Sequence, residues 1–178
     1  MPDLDQRVIT PFPASHPELG RWLWALEDTR RRTLDAVDGV TPEELDWTPA
    51  GLDNSIGTLL YHIALIETDY LCVDILGMED YFPDLMTLLQ FSDRDEAGEL
   101  SVVTGVSLEN HLARLATVRA RFLEHVSTLT AEQLATARAL PEWNYDISPA
   151  WTLHHLMQHE AEHRGEINSL RALFRASA

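Results

Sequence analysis

The sequence contains no lysine and only one cysteine, and no uninterrupted apolar run reaches the roughly 20 residues of a membrane-spanning helix. The lone thiol, Cys72, has no partner for an internal disulfide, and its apolar neighbours predict a buried, unreactive side chain. The first residues lack a basic region followed by an apolar run, so we expect no signal peptide and a cytoplasmic location.

Positive charge is scarce as well. The 13 arginines are outnumbered by 29 acidic residues, and the formal net charge is −16. A protein this acidic repels the phosphates of nucleic acids and anionic lipids, so we expect neither as a partner. A small-molecule substrate is the expected partner, although solubility alone also explains the acidity.

Helix-start signals followed by apolar residues at helical spacing recur along the chain. Ser15 and Glu18 have the spacing of a capping box. With 178 residues, 45% of them hydrophobic, the chain is long enough for one domain with a sizeable core. We therefore predict a single all-α domain over residues 1–178, a four-helix bundle preceded by an irregular arm of residues 1–14. The long helices are predicted to begin near Ser15, Asn54, Ser107 and Ser148, and shorter turns after Thr41, Pro83 and Thr130.

Histidines are concentrated near the C-terminal end of the sequence. His155, His159 and His163 are spaced four apart, and each step of four turns a helix by about 400° and advances it by about 6 Å. Two imidazoles placed in this way can converge on one metal ion. The alternative for any one of them is an ordinary hydrogen-bonded side chain, which is also how we interpret His111 and His125.

The same stretch matches H-E-x-x-H from His159 to His163, a pattern of zinc proteases. The extended protease motif needs a glycine and a third histidine downstream, where this chain has Glu166 and Ser169. No histidine follows His163 in this sequence, so a further ligand has to come from upstream. A predicted bundle without a sheet also argues against a protease.

Two histidines are candidates for that further ligand. His62 lies in the apolar stripe of the second long helix, beside Leu59 and Ile66, where an unpaired imidazole is costly. It either forms a hydrogen bond to the backbone or a carboxylate, or it is a metal ligand that faces the last helix. The other candidate is His155, which would complete the set from the last helix itself.

Three motifs stand out along the chain. They are Thr41–Trp47 with Pro49, Ser55–Ala64, and His155-Leu156 followed by His159 and His163–Glu166. In this order and spacing they resemble the DinB-like (YfiT-like) metalloenzyme family, and the resemblance extends from Ser15 to Phe174. The last motif is similar to the family's closing H-x-x-x-H-R-G-Q, with Glu166 where glutamine is usual.

The resemblance implies a four-helix bundle, a frequent homodimer, and a metal ion held by His62, His159 and His163. Zinc or nickel is the implied metal. Relatives include transferases that use zinc to activate bacillithiol or mycothiol, and a mycothiol-dependent maleylpyruvate isomerase. A thiol-dependent S-transferase or isomerase is therefore the expected function, with a low-molecular-weight thiol as cofactor. The alternatives are a hydrolase with Glu160 or Glu162 as general base, and a non-catalytic metal-binding bundle.

Two further expectations concern charged segments. Residues 77–106 are long, irregular and acidic, so we expect them to border the opening of the metal site and to be more mobile than the bundle. The basic run Arg30-Arg31-Arg32 is interpreted as a solvated helix face.

Overall fold

The structure is a computed structural model that describes residues 8–140 and 144–177. Residues 1–7 of the expected N-terminal arm, and Pro141 to Trp143 of the connector before the last helix, lie outside the described residues. In chain order the elements are α1 Pro17–Val37, α2 Pro42–Asp46, α3 Ile56–Asp69, α4 Pro83–Leu88, α5 Leu108–Val126, α6 Ala131–Ala135, β1 Arg138–Leu140, β2 Tyr145–Ile147 and α7 Pro149–Ser177.

The four long helices α1, α3, α5 and α7 confirm the all-α prediction. Helix α1 packs on α7, and α3 packs on both α5 and α7. Strands β1 and β2 form one antiparallel hairpin, in a connector whose sequence carried no recognisable strand pattern. Three residues per strand are too few to show an alternation, so only the pairing reveals these strands.

Short polar side chains start most of the helices, because they satisfy backbone N–H groups that have no partner within the helix. Ser55 caps α3 and Ser107 caps α5, each by accepting the N–H three residues later. The start of α1 differs from the prediction. His16 is its cap, through Nδ1 and the N–H of Leu19, while the Ser15 hydroxyl donates to the carbonyl of Leu129.

Helix α3 is the central helix, because it is buried on nearly every side. The segment from Ile56 to Ile75 is long and apolar enough to cross a membrane by composition, and it is the one such helix among the described residues. However, 78% of that segment is buried inside the protein, as expected for a core helix.

The C-terminal end of α3 widens into a π-helical turn over Tyr70–Ile75. The N–H of Leu76 bonds to the carbonyl of Leu71, five residues back rather than four. Cys72 lies in this turn, fully buried, and burial raises the pKa of its thiol. The prediction of a buried thiol is therefore confirmed. Single π-helical turns inside α-helices occur often at functional sites.

Candidate metal centre

Three histidine side chains converge where α3 packs against α7. The Nε2 atom of His159 lies 3.0 Å from Nε2 of His62 and 3.1 Å from Nε2 of His163. The three ring nitrogens all lie within 4.8 Å of one another. Helix α7 supplies two imidazoles from adjacent turns, and α3 turns the third towards the same point. The structure thus brings His62, rather than His155, to the other two histidines.

Carboxylates hold the outer nitrogens of two of these rings. Nδ1 of His62 lies 2.7 Å from an oxygen of Asp93, and Nδ1 of His163 lies 3.3 Å from an oxygen of Glu166. A carboxylate accepts a hydrogen bond, so in the neutral form of each ring Nδ1 has the proton and Nε2 keeps its lone pair. Both lone pairs therefore belong to the nitrogens that face the cluster.

Hydrogen bonds between the three rings cannot account for both short contacts of His159. Nε2 of His159 lies between the lone pairs of His62 and His163, and a neutral imidazole nitrogen has one proton at most to donate. One of the two short contacts would then set two lone pairs against each other. A cation bound by all three nitrogens removes the conflict. Tetrahedral zinc with Zn–N bonds of about 2.0–2.1 Å would place its nitrogens about 3.3 Å apart, close to the two short spacings from His159 to His62 and His163.

The protonation states also suit a metal ion. Burial, followed by the neighbouring His163 and His62, lowers the pKa of His159 to about 3. Burial lowers the pKa of His62 as well, and the opposing effect of Asp93 does not cancel it. These two rings are therefore neutral at pH 7, and the neutral imidazole is the form that binds a metal.

Asp93 belongs to the acidic segment 77–106. Its contact with His62 confirms that this segment borders the histidine cluster. The greater mobility expected of the segment stays a prediction. Glu166 occupies the position where the family motif has glutamine, and its carboxylate accepts from His163 as an amide oxygen also would.

His155 lies one turn before His159 and outside the cluster. Its ring stacks on Trp151, with centroids 4.8 Å apart and an interplanar angle of 8°. The centroids of His155 and His159 are 5.9 Å apart. Burial lowers the pKa of His155, so this ring too is neutral at pH 7.

Glu160, one of the two candidate general bases, is committed elsewhere. It is buried, with one carboxylate oxygen 2.8 Å from Nε of Arg30 and the other 3.4 Å from a guanidinium nitrogen of Arg119. Both arginines also bind the buried carboxylate of Glu67, at 2.6 Å and 2.5 Å. Both oxygens of Glu160 are therefore engaged in ion pairs inside the bundle, which argues against Glu160 as the general base.

These four residues form one buried network with a member from each long helix. Arg30 comes from α1, Glu67 from α3, Arg119 from α5 and Glu160 from α7. Arg119 also contacts Glu27 at 2.6 Å. We call Arg30, Glu67, Arg119 and Glu160 the ion-pair network.

The ion-pair network also corrects the interpretation of the run Arg30-Arg31-Arg32. Arg31 and Arg32 are solvated, as predicted, and pair with carboxylates on their own helix. Arg30 is buried. A signal was present in the sequence, because Arg30 continues the stripe of buried residues that includes Leu26 and Thr33 on α1.

Glu162, the other candidate base, is exposed and lines a cleft of about 640 Å³. Glu166 lines the same cleft and contacts His163, so the cleft adjoins the histidine cluster. A second cleft, of about 440 Å³, is lined in part by Asp93 and adjoins the cluster on the side of His62. The remaining walls of the larger cleft are Leu52, Asp53, Asn54, Gly165, Ser169 and Leu170.

His111 was interpreted as an ordinary helix histidine, and its surroundings are more unusual. The ring is fully buried on α5, with Nδ1 beside Arg114. Its Nε2 has no hydrogen-bond partner among the described residues. Burial, followed by the charge of Arg114, lowers its pKa to about 4.

Comparisons with known proteins agree with the motifs. The family model of the DinB superfamily matches residues 25–167. The chain is similar to the crystal structure of a conserved protein from Enterococcus faecalis, with a TM-score of 0.67 at 18% identity. That similarity covers 85% of this chain and 94% of the other, and it supports the fold alone. No curated protein matches the sequence. The family match spans well over half of the chain and confirms the resemblance: this protein belongs to the DinB superfamily.

Proposed function

We propose that His62, His159 and His163 hold a divalent metal ion, zinc or nickel, and that the protein is a metal-dependent enzyme. The observation that carries the proposal is the convergence of three imidazole nitrogens, two of them on rings whose opposite nitrogen contacts a carboxylate. Carboxylates in that position orient histidine ligands in metalloproteins. Three protein ligands leave a coordination position for substrate or cofactor, which is typical of catalytic sites.

The proposed reaction is a thiol-dependent transfer or isomerisation. A divalent ion lowers the pKa of a thiol, so that it ionises near neutral pH. The protein itself offers only Cys72, which is fully buried and has a raised pKa, so the nucleophile has to arrive with a cofactor. A low-molecular-weight thiol of the bacillithiol or mycothiol type fits this requirement, and such thiols are cytoplasmic.

A metal-dependent hydrolase is the second candidate. The observation in its favour is that Glu162 is exposed to the cleft next to Glu166, where it is free to take a proton from water. This reaction would need no thiol. The two candidates therefore separate in one assay, run with and without a thiol cofactor.

Metal titration of the purified protein is the first test. After chelation and dialysis, we expect about one zinc or nickel ion per chain to bind tightly, with His62→Ala weakening the affinity by at least about 100-fold. His155→Ala is the matched control, because it removes an imidazole from the same helix but outside the cluster. It should change the affinity by no more than about 3-fold. Equal losses in both variants, or no binding to the parent protein, would exclude the proposed site.

Turnover is the second test. The metal-loaded protein is incubated with electrophilic substrates and a panel of low-molecular-weight thiols. Product that forms only when both metal and thiol are present supports the transferase. Product without thiol, lost in Glu162→Gln, supports the hydrolase. Metal binding without turnover, either with or without thiol, would support a non-catalytic metal-binding protein instead of an enzyme.

A further inference from the structure

Three aromatic rings form a half-exposed surface next to the histidine cluster. The rings of Trp151 and His155 stack in nearly parallel planes on adjacent turns of α7, and Tyr70 approaches from the π-helical turn of α3. The ring centroid of Tyr70 is 5.1 Å from that of His155 and 6.3 Å from that of Trp151. We call these three residues the aromatic corner.

The aromatic corner is continuous with the histidine cluster. Trp151, His155 and His159 follow one another at spacings of four on α7, which places them on one face of the helix. The ring of His155 thus lies between the half-exposed indole of Trp151 and His159, a member of the cluster. A ligand on this surface would extend directly to the three nitrogens.

Among residues 8–140 and 144–177, the packing leaves this surface partly open. Trp151 is 47% exposed, although it is one of the largest apolar side chains in the protein. Among the described residues, none forms a hydrogen bond to a ring nitrogen of His155. Tyr70 is the first residue of the π-helical turn that follows α3. Exposed apolar surface beside a site often marks ligand contact.

We propose that the aromatic corner is a substrate subsite for a flat, π-conjugated group, preferably an aromatic ring. A ring stacked there would leave its substituent directed along α7 towards His159. Aromatic side chains attract planar rings by offset stacking and by edge-to-face contact. The subsite deepens the proposed function, because it names the substrate class of the same centre.

Local charge further restricts the ligand. Glu162 lies two turns beyond His155 on α7, and Asp69 directly precedes Tyr70 at the end of α3. These carboxylates repel an anionic ring and attract a cationic one, and the ring faces themselves favour cations. The subsite should therefore accept neutral or cationic aromatic groups and reject aromatic carboxylates.

Three small probes separate these features in ligand-observed NMR titrations of the metal-free protein. Benzylamine has both the ring and the positive charge, cyclohexylmethylamine has the charge without the π system, and benzoate has the ring with a negative charge. We expect benzylamine to bind at least about 3-fold more tightly than either of the others. Equal affinity for all three would overturn the proposal.

Protein variants locate the binding. Trp151→Ala and His155→Ala should each weaken benzylamine binding by about 3- to 10-fold, the range for one lost aromatic pair. Leu173→Ala is the matched control, because Leu173 is a 45%-exposed apolar residue on the same helix, about 33 Å along the helix axis from Trp151. It should leave the affinity unchanged. Parent-like binding in both ring variants, or an equal loss in Leu173→Ala, would contradict the assignment.

Because these titrations use metal-free protein, their outcome is separate from that of the proposed function. Ring binding without metal binding would keep the subsite and reject the metalloenzyme. Metal binding without preference for benzylamine would keep the proposed metal site and reject the subsite. A final experiment tests whether the subsite lies next to the metal site. In protein loaded with paramagnetic cobalt, we expect broadening of the ring protons of bound benzylamine, and its absence would place the ring away from the cluster.

Discussion

The ion-pair network makes a strong prediction about the histidine cluster. Glu160 lies between His159 and His163 in sequence, and its carboxylate binds Arg30 and Arg119 inside the bundle. The substitution Glu160→Gln keeps the shape of the side chain and removes its charge. Two buried arginines then face a single fully buried carboxylate, that of Glu67, with only the partly exposed Glu27 in addition.

The expected loss of stability follows from the buried charge left over. Removing one partner of a buried ion pair typically costs about 3–5 kcal/mol. Glutamine retains an amide oxygen that can accept one hydrogen bond, so we expect a loss near the lower end, about 3 kcal/mol. The free energy of unfolding, measured by urea denaturation of the metal-free protein, tests this value.

The same substitution should weaken metal binding. The network ties α7 to the other three long helices at the residue between two proposed ligands, so a change there shifts both imidazoles against His62. We expect the cobalt affinity to fall by about 10-fold or more and the cobalt absorption spectrum to change, as for the loss of a residue that orients ligands.

Another, largely buried ion pair, with one partner on α7 and the other on α2, serves as control. Arg171 binds Glu44 at 3.0 Å, about 12 Å along α7 from His163. Glu44→Gln should also lower the free energy of unfolding, while the cobalt affinity and spectrum stay those of the parent. The reasoning would be refuted if Glu160→Gln cost less than about 1 kcal/mol, or if Glu44→Gln impaired cobalt binding equally.

Three other predictions follow from single contacts or segments. Asp93→Asn should lower metal affinity by about 10-fold, measured by chelator competition, because the carboxylate that orients His62 is lost; an unchanged affinity would contradict this role. The pKa of His111 is about 6.5 in the unfolded chain and about 4 in the folded protein. The unfolded chain therefore binds the proton first as the pH falls, and the free energy of unfolding should decrease by up to about 3 kcal/mol between pH 6.5 and pH 4. His111→Gln should flatten the pH dependence of the unfolding free energy relative to the parent, and an unchanged slope would count against the buried neutral ring. Residues 77–106 should exchange amide hydrogens faster than the long helices, and equal protection would contradict the expected mobility.

The local parts of the structure could be predicted because local chemistry decides them. The side chain of Ser107, for example, needs only the N–H three residues along the chain to start α5. The spacing of His159 and His163 places both imidazoles on one face of any helix that contains them. The cap of α1 was missed because Ser15 and His16 are both able to cap, and Ser15 instead bonds to Leu129, far along the chain.

The contacts of the site join residues that are far apart in the sequence, and only the tertiary structure decided them. The sequence by itself determined four long helices with apolar stripes, two neighbouring imidazoles on the last one, and the motifs of the family. It left open whether His62 or His155 joins them, because that depends on how α3 is rotated against α7. It also could not pair Asp93 with His62, or Arg30 with Glu67 and Glu160. A charged side chain can be either hydrated at the surface or paired with an opposite charge in the interior. Only the packing of the four helices shows which charged side chains are buried and form ion pairs.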